Sequence, residues 1–418
     1  MPPILPTNSP QNAHLEGVKF PHADILGVAD QLNSDERKRL QEIHEFLQTE
    51  IRPVVGEYWD REELPFELLP KLAAQGLGEI ELSNTSRLFR GLVYAEITRV
   101  DVSLSALVGI HNELNVGVIH TLGSDEQRDK WLPGLRKFEK LGAFALTEPD
   151  HGSDIAGGLA TTAQRTEDGW IINGQKRWIG AGTIADFAIT FARDVEDQAV
   201  KAFIVELDRD GVSTDKISRK MGLRIMQNAD ITYDNVLIPH ENAIPGAQSF
   251  SNVNDFLCSS RAWVAWQAAG LQLGIFDAAR EYALTRQQFG KPLAKFQLIQ
   301  EPLTRILGNA SASLAMMAQI AHVQEEGKLE MPMAAMAKAT NTRLARESAA
   351  AARAIGGGNG LLTQHHLSKM MADAEVLYTY EGTYEINALI VGRAVTGQSA
   401  FVLSLIHISE PTRRYAIS

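Results

Sequence analysis

Trp170-Ile171-Ile172-Asn173-Gly174-Gln175-Lys176-Arg177-Trp178-Ile179 is where the hydrophobic period of this chain changes. On either side of the zone containing it, apolar residues recur at helical spacing, whereas here they gather in short β-branched and aromatic runs. The same texture covers residues 161–239, with further runs at 187–191, 203–207, 231–233 and 236–238 separated by turn residues. Asn173-Gly174 predicts a two-residue hairpin turn, because both residues tolerate positive φ. The expectation is a small antiparallel sheet or barrel between two helical zones.

Working outward, Leu40, Ile43, Phe46, Leu47 and Ile51 share one helical face, with Asn33 and Glu36 placed as a capping box and Pro53 as the stop. Helices are predicted over 88–100 and 103–122, and Ser124 with Gln127 opens a short third. From 252 the helical period returns. Trp263, Trp266, Ala269, Leu273, Phe276 and Ala279 form a broad stripe that ends before Gly290 and Pro292. Stretches 296–324, 331–355, 366–374 and 383–395 complete a bundle. The fold class is α+β: an N-terminal helical domain (29–143), a middle antiparallel β domain (144–250) and a C-terminal four-helix bundle (251–402). Residues 403–418 read as a non-native tail.

The chain has 418 residues, 44% hydrophobic and 22% charged, enough for more than one domain. A formal net charge of -11 argues against general nucleic-acid binding, so anionic ligands must be held by local cations. One cysteine, Cys258, excludes an intramolecular disulfide and reads as a packing residue. No apolar run approaching the ~20 residues of a bilayer span is evident, so no membrane partner is expected. The N-terminal stretch, with Glu16 and Asp24 before Arg37, does not read as an arginine-rich presequence. The expected location is cytoplasmic, with the peroxisomal matrix as the alternative, since the tail replaces any C-terminal targeting tripeptide.

The reactive candidate is Glu381, in Tyr378-Thr379-Tyr380-Glu381-Gly382-Thr383. An acid among aromatics is poorly solvated, which raises its pKa toward the range of a general base. Gly382 beside it lets a planar group lie against backbone N–H, where an enolate oxygen is stabilised. The same residues equally describe a solvated charge before a helix capped by Thr383. The stretch Phe144-Ala145-Leu146-Thr147-Glu148-Pro149-Asp150-His151-Gly152-Ser153-Asp154 suits the polar edge of a heterocycle and a phosphate, or is a polar linker. Trp178-Ile179-Gly180 offers an aromatic face and an open backbone edge, although a lone Trp is more often core. Arg286 before a sharp turn suits a pyrophosphate, or is a solvated helix end. Gly356-Gly357-Gly358-Asn359-Gly360 lacks the preceding strand of a dinucleotide fold. Adjacent His365 and His366 cannot share a helix face as metal ligands, and Ser153 is not in a nucleophile elbow.

In this order the segments resemble the acyl-CoA dehydrogenase family over nearly the whole chain, from about Ala29 to Phe401. The resemblance implies α,β-dehydrogenation of an acyl-CoA thioester, with FAD accepting the β-hydride and Glu381 as the base. It implies that Phe144, Leu146, Thr147 and Ser153 hold the flavin, with Ser153 also touching CoA, and that Trp178, Ile179 and Gly180 pack on the ring. The family commonly has threonine at Gly180. Arg286, Gln297, Gly357 and Gly358 match positions reaching the FAD of a neighbouring subunit, which implies a homotetramer. Thr383 matches a residue beside the FAD phosphates, Phe401 a late flavin contact, Arg261 a CoA-binding arginine and Gly382 a substrate contact. An electron-transfer flavoprotein is the implied acceptor. Gln175 to Gly180 and Tyr380 to Asn387 look nearest the glutaryl-CoA dehydrogenase and plant-type short-chain acyl-CoA oxidase branch. However, Arg99-Val100-Asp101-Val102-Ser103-Leu104-Ser105 lacks that branch's arginine for a distal carboxylate, so a simple short- or medium-chain acyl-CoA is expected. Residues 79–87 also lack the family's Gly-Gly loop. An oxygen-using acyl-CoA oxidase, a glutaryl-CoA dehydrogenase-like enzyme and a non-enzymatic helical scaffold are the rival readings; a flavin-dependent monooxygenase on the same fold would have no need of Glu381.

Overall fold

The computed structural model describes residues 23–400; Phe401 and the tail lie outside them. The first helix, α1 (Ser34–Phe46), is capped by Asn33, whose Oδ1 accepts from the N–H groups of Asp35 and Glu36. No reciprocal box closes, because the Glu36 carboxylate instead accepts from Ser86 N (2.6 Å) and Ser86 Oγ. Pro53 is no stop either: a π-turn, Leu47–Ile51, carries the chain into α2 (Arg52–Arg61), where Pro53 occupies the first turn. A proline lacks the N–H that a first turn leaves unbonded anyway, so it starts a helix as readily as it ends one. The short α3 (Leu69–Ala74) precedes α4 (Arg87–Val100).

Asp101 then caps α5 (Val102–Gly109), which runs through a π-segment, Ile110–Val116, into α6 (Gly117–Leu122). Val102–Leu122 is apolar and long enough to cross a bilayer by length and composition, contrary to the sequence reading. Its apolarity faces protein: 83% of that window is buried in the fold. Ser124 and Gln127 form the expected capping box of α7 (Asp125–Leu135).

The sheet comprises β1 (Gly142–Ala145), β2 (Thr162–Arg165), β3 (Trp170–Ile179), β4 (Phe187–Asp194), β5 (Val200–Glu206), β6 (Val212–Lys216) and β7 (Ala229–Ile238), with the one-turn α8 (Ile155–Gly158) between β1 and β2. Its order is β1-β4-β2-β3-β7-β6, with β5 on β4. Most pairings are antiparallel, but β1 and β2 both run parallel to β4, so the sheet is mixed. The predicted hairpin at Asn173-Gly174 does not form. Those residues lie inside β3, at a register shift against β7, where Asn173 Oδ1 accepts from Asn235 N at 2.8 Å. A Cβ on Gly174 would sit 2.5 Å from Thr161 Oγ1. The glycine therefore serves a bulge with a close neighbour, while β2 and β7 on either side keep the strand continuous.

The last zone opens with α9 (Ser251–Thr285), followed by the β8 (Gln287–Gln288) and β9 (Lys291–Pro292) ribbon, then α10 (Gln297–Glu325), α11 (Met331–Ile355), α12 (Leu367–Thr379) and α13 (Tyr384–Thr396). One apolar core joins both helical zones. Trp263 and Trp266 of α9 lie so close over Gly109 and Gly91 that neither glycine could carry a Cβ without displacing an indole. The sheet is docked through Trp131 on Phe187, ring centroids 4.4 Å apart.

All three zones meet at Lys369. Its buried ammonium pairs with Asp101 (2.6 Å) and with Asp373 (2.8 Å). Asp373 Oδ1 also accepts from Leu223 N of the middle domain (2.7 Å) and from Trp59 Nε1 (3.1 Å). Burial alone would push the lysine toward its neutral form, but the two carboxylates hold its pKa above the ordinary value. Lys369→Met should destabilise the protein by about 3–5 kcal/mol, because two buried carboxylates lose their counter-ion. The triple variant Lys369→Met, Asp101→Asn, Asp373→Asn should recover much of that loss, as read from urea denaturation midpoints.

Candidate active site

Between α12 and α13 the chain reverses through two left-handed residues, Glu381 (φ 54°) and Gly382 (φ 80°). A glutamate rarely adopts that conformation, so the surroundings must impose it. They do so by straps. The Gly382 carbonyl accepts from Asn387 Nδ2 (2.8 Å) and from Lys338 Nζ of α11. Asn387 Oδ1 in turn accepts from Arg261 Nε (3.2 Å), and Arg261 Nη1 donates to Leu257 O (2.8 Å). Thr383 caps α13 through Ile386 N, which is the helix role its position predicts.

Glu381 is half-buried, and its Oε2 accepts from Ser260 Oγ at 2.7 Å. The adjacent Tyr380 donates to Gln267 Oε1, whose amide donates to Ser105 Oγ (2.9 Å), which also accepts from Thr98 Oγ1 (2.6 Å). Two cations face the carboxylate. Burial pulls the Lys338 ammonium down to about 7, with Glu381 pulling the other way, and burial likewise lowers Arg261 against the same carboxylate. The structure thus brings Glu381, Gly382, Thr383 and Arg261 into one cluster. Sequence reading missed Ser260 and Lys338. A lone lysine among alanines, Ala337-Lys338-Ala339, on the apolar side of a helix was the available signal.

A second cluster is built on the sheet. Lys176 of β3 donates to Leu146 O (3.1 Å) and Glu148 Oε1 (2.8 Å), while Glu148 accepts from Ala160 N and Thr161 N. Burial lowers the lysine to about 8, opposed by Glu148. With Arg177 N donating to Thr147 O (2.8 Å), this binds the 144–154 loop to the end of β3. Phe144, Leu146 and Thr147 are therefore neighbours of Trp178, Ile179 and Gly180, and Ser153 stands exposed further along the loop. Trp178 is not core: at φ 64° it turns outward and is 53% exposed. Among the described residues the hydroxyls of Thr147 and Ser153 have no hydrogen-bond partner. The Arg177 guanidinium lies over the Trp178 ring, 5.3 Å from its centroid; an exposed aromatic side chain and unpaired hydroxyls on the neighbouring loop suit a flat, polar-edged ring system such as a flavin. Where a threonine side chain would begin at Gly180, its Cβ would lie 2.6 Å from Ile110 Cδ1.

A third group stands apart. Arg286 follows the end of α9, some 25 residues beyond Ser260, which places it roughly 38 Å along the helix from the Glu381 contact. Gly357 and Gly358 are exposed at that same end, joined to it by Asn359 Nδ2 on Tyr282 OH (3.0 Å), and Gln297 opens α10 nearby. These four residues stand together at the end of α9 remote from Glu381.

The segment at 79–87, lacking a Gly-Gly loop, is walled by charge. Glu81 pairs with Arg87 and Arg90, both at 3.2 Å, and accepts from Tyr94 OH. Glu113 lies behind it, accepting from Ser259 Oγ (3.0 Å), with its carboxyl pushed well above the usual range by burial and then by Glu81.

A helical layer, a curled sheet and a helical bundle that carries a strapped carboxylate define a three-domain oxidoreductase architecture. Residues 33–139, 143–236 and 250–396 match the acyl-CoA dehydrogenase N-terminal, middle and C-terminal domains. The chain is 32% identical to an acyl-CoA dehydrogenase of Bacillus subtilis, over 85% of this chain and 96% of that one. It is 31% identical to the caffeyl-CoA reductase-Etf complex subunit CarC of Acetobacterium woodii, over 86% and 97%. A glutaryl-CoA dehydrogenase from Mycobacterium smegmatis, solved in complex with FADH2, superposes with a TM-score of 0.87 at 29% identity, covering 92% of this chain and 100% of that one. The chain belongs to the acyl-CoA dehydrogenase family, a family of FAD-dependent enzymes. Gly382→Ala should cost about 1–2 kcal/mol from a left-handed alanine, with the new methyl 3.2 Å from Asn387 Nδ2. Its thermal melt should drop modestly while anaerobic flavin bleaching by substrate falls at least tenfold.

Proposed function

We propose that this enzyme dehydrogenates a short- or medium-chain acyl-CoA thioester between Cα and Cβ. The carrying observation is Glu381, a carboxylate held half-buried on a strapped turn with a serine hydroxyl on one oxygen and two cations alongside, Lys338 buried and Arg261 partly so. Glu381 takes the α-proton. FAD, when bound, supplies the acceptor for the β-hydride. Thr147, Ser153 and Thr383 are placed to bind its polar parts, with Phe144, Leu146, Trp178, Ile179 and Gly180 along the ring; Arg286, Gln297, Gly357 and Gly358 reach the cofactor of an adjoining subunit. That division rests on the roughly 38 Å run of α9 and implies a homo-oligomer, with a tetramer as the family arrangement. Exposed Phe289 and Leu298 at that end support a covering partner. Arg261, Ser153 and the Gly382 backbone are the contacts for the CoA thioester. An electron-transfer flavoprotein is the proposed acceptor, consistent with the Etf complex named for the Acetobacterium relative.

The acyl group is proposed to be short and uncharged. Ser105, where the glutaryl branch would need a nearby guanidinium, is fully buried and held by Gln267 and Thr98, so a distal carboxylate would lie unpaired. Trp263, one turn along α9 from Ser260, fills the adjoining space against Gly109 and Tyr94.

Anaerobic titration with acyl-CoAs of graded length tests this. Wild type should bleach with short chains and barely with glutaryl-CoA, and Glu381→Gln should slow bleaching by roughly a hundred- to ten-thousand-fold. Equal bleaching by Glu381→Gln would remove the proposed base. Trp263→Ala should shift preference toward longer chains. Stoichiometric peroxide during aerobic turnover would instead identify an oxidase.

A further inference from the structure

Among the described residues no carboxylate is hydrogen-bonded to Lys338, yet it is wholly buried. Such an ammonium is costly to bury and persists where its hydrogen bonds and charge serve a purpose. Its Nζ donates to the Gly382 carbonyl and reaches Tyr378 O at 3.5 Å, so one side chain of α11 grips both the end of α12 and the left-handed turn that follows it. The charged groups acting on it are Glu381 of the turn, Arg261 of α9 and Glu385 of α13.

We propose, on the reading that Glu381 is the α-proton acceptor, that Lys338 is the positioning residue of that base: it holds the Gly382 carbonyl so that the turn presents the carboxylate. The argument is geometric first. A left-handed glutamate is strained and needs its surroundings to hold it, and among the described residues Gly382 O is held from outside the turn region only by Lys338. The other strap, Asn387, belongs to the helix that follows the same turn. Burial brings the lysine itself down to about 7, with Glu381 opposing.

The test uses full-length flavin-loaded protein and three variants: Lys338→Met, Lys338→Gln and Lys338→Arg. Stopped-flow flavin bleaching is followed against butyryl-CoA concentration, with thermal melts in parallel. In the Met variant the limiting bleaching rate should fall roughly ten- to a hundred-fold, as a displaced base predicts. The loss should fall on that limiting rate more than on the butyryl-CoA concentration that half-saturates it. Its melting temperature should not fall in proportion, since an apolar chain of similar length replaces a buried amine. The Arg variant, which keeps a cationic donor for the Gly382 carbonyl, should recover most of the wild-type rate. If the Met protein is insoluble, the Gln variant carries the same expectations. A soluble neutral variant with the wild-type limiting rate overturns the proposal. A Glu381→Gln protein that bleaches at the wild-type rate refutes instead the reading of Glu381 on which it rests.

Discussion

The fold depends on a single buried ammonium placed between two carboxylates contributed by different helices. Lys369 and Asp373 are one turn apart on α12, and Asp101 ends α4 and caps α5. Because Asp373 also receives the Leu223 N–H and the Trp59 indole, the same charge cluster pins the middle domain and α2. Apolar packing supplies most of the stabilisation of the helical core but has little directionality; Leu and Ala side chains would tolerate α12 slipping or rotating. An ion triad with satisfied hydrogen bonds would not, since misplacement by one residue strands a charge in a dry interior.

That constraint reaches the site directly. Asp373 lies seven residues before Tyr380, about 10 Å along α12, so where the triad fixes the helix also fixes where the chain leaves it. From that point the turn is shaped by groups on α9, α11 and α13 together: Ser260 and Arg261, Lys338, and Asn387. Among the described residues, the proposed base is thus set by three helices of the bundle and by none of the loops in the middle domain. The sheet provides a separate platform, in which Glu148 and Lys176 fold one loop back on the strand that ends at Ile179. Separating the rigid support of the proposed base from the surface proposed for the flavin lets each be altered without moving the other.

How much of this could be read beforehand follows from which interactions are local. Helix positions were legible because the apolar stripe through Trp263, Trp266 and Ala269 repeats within a few residues, and Glu381 stood out because its neighbours in sequence are also its neighbours in space. Asn173-Gly174 misled for the converse reason. As a dipeptide it suits a hairpin, but β7 and β2 flank it on both sides, and continuing the ladder satisfies more backbone groups than turning would. Pro53 misled similarly, since a proline gives the same local signal at either end of a helix. Ser260 was silent, and Lys338 offered only its place among alanines, because each acts on a turn far away in sequence. Neither has a recognisable motif; only the helix packing reveals what they touch.

The charge arrangement around Glu381 has a consequence for the proposed chemistry. Burial disfavours the ionised forms of both Arg261 and Lys338, and the same carboxylate opposes burial at each. When Glu381 takes a proton its own charge disappears, which by itself would leave the buried Lys338 and the partly buried Arg261 uncompensated. Proton abstraction from an α-carbon, however, moves that negative charge onto the enolate of the thioester rather than removing it from the site. The cations then keep an anionic partner throughout, displaced by the length of one proton transfer. A site built this way needs no reorganisation of solvent to follow the charge, because the same two cations face it before and after the transfer.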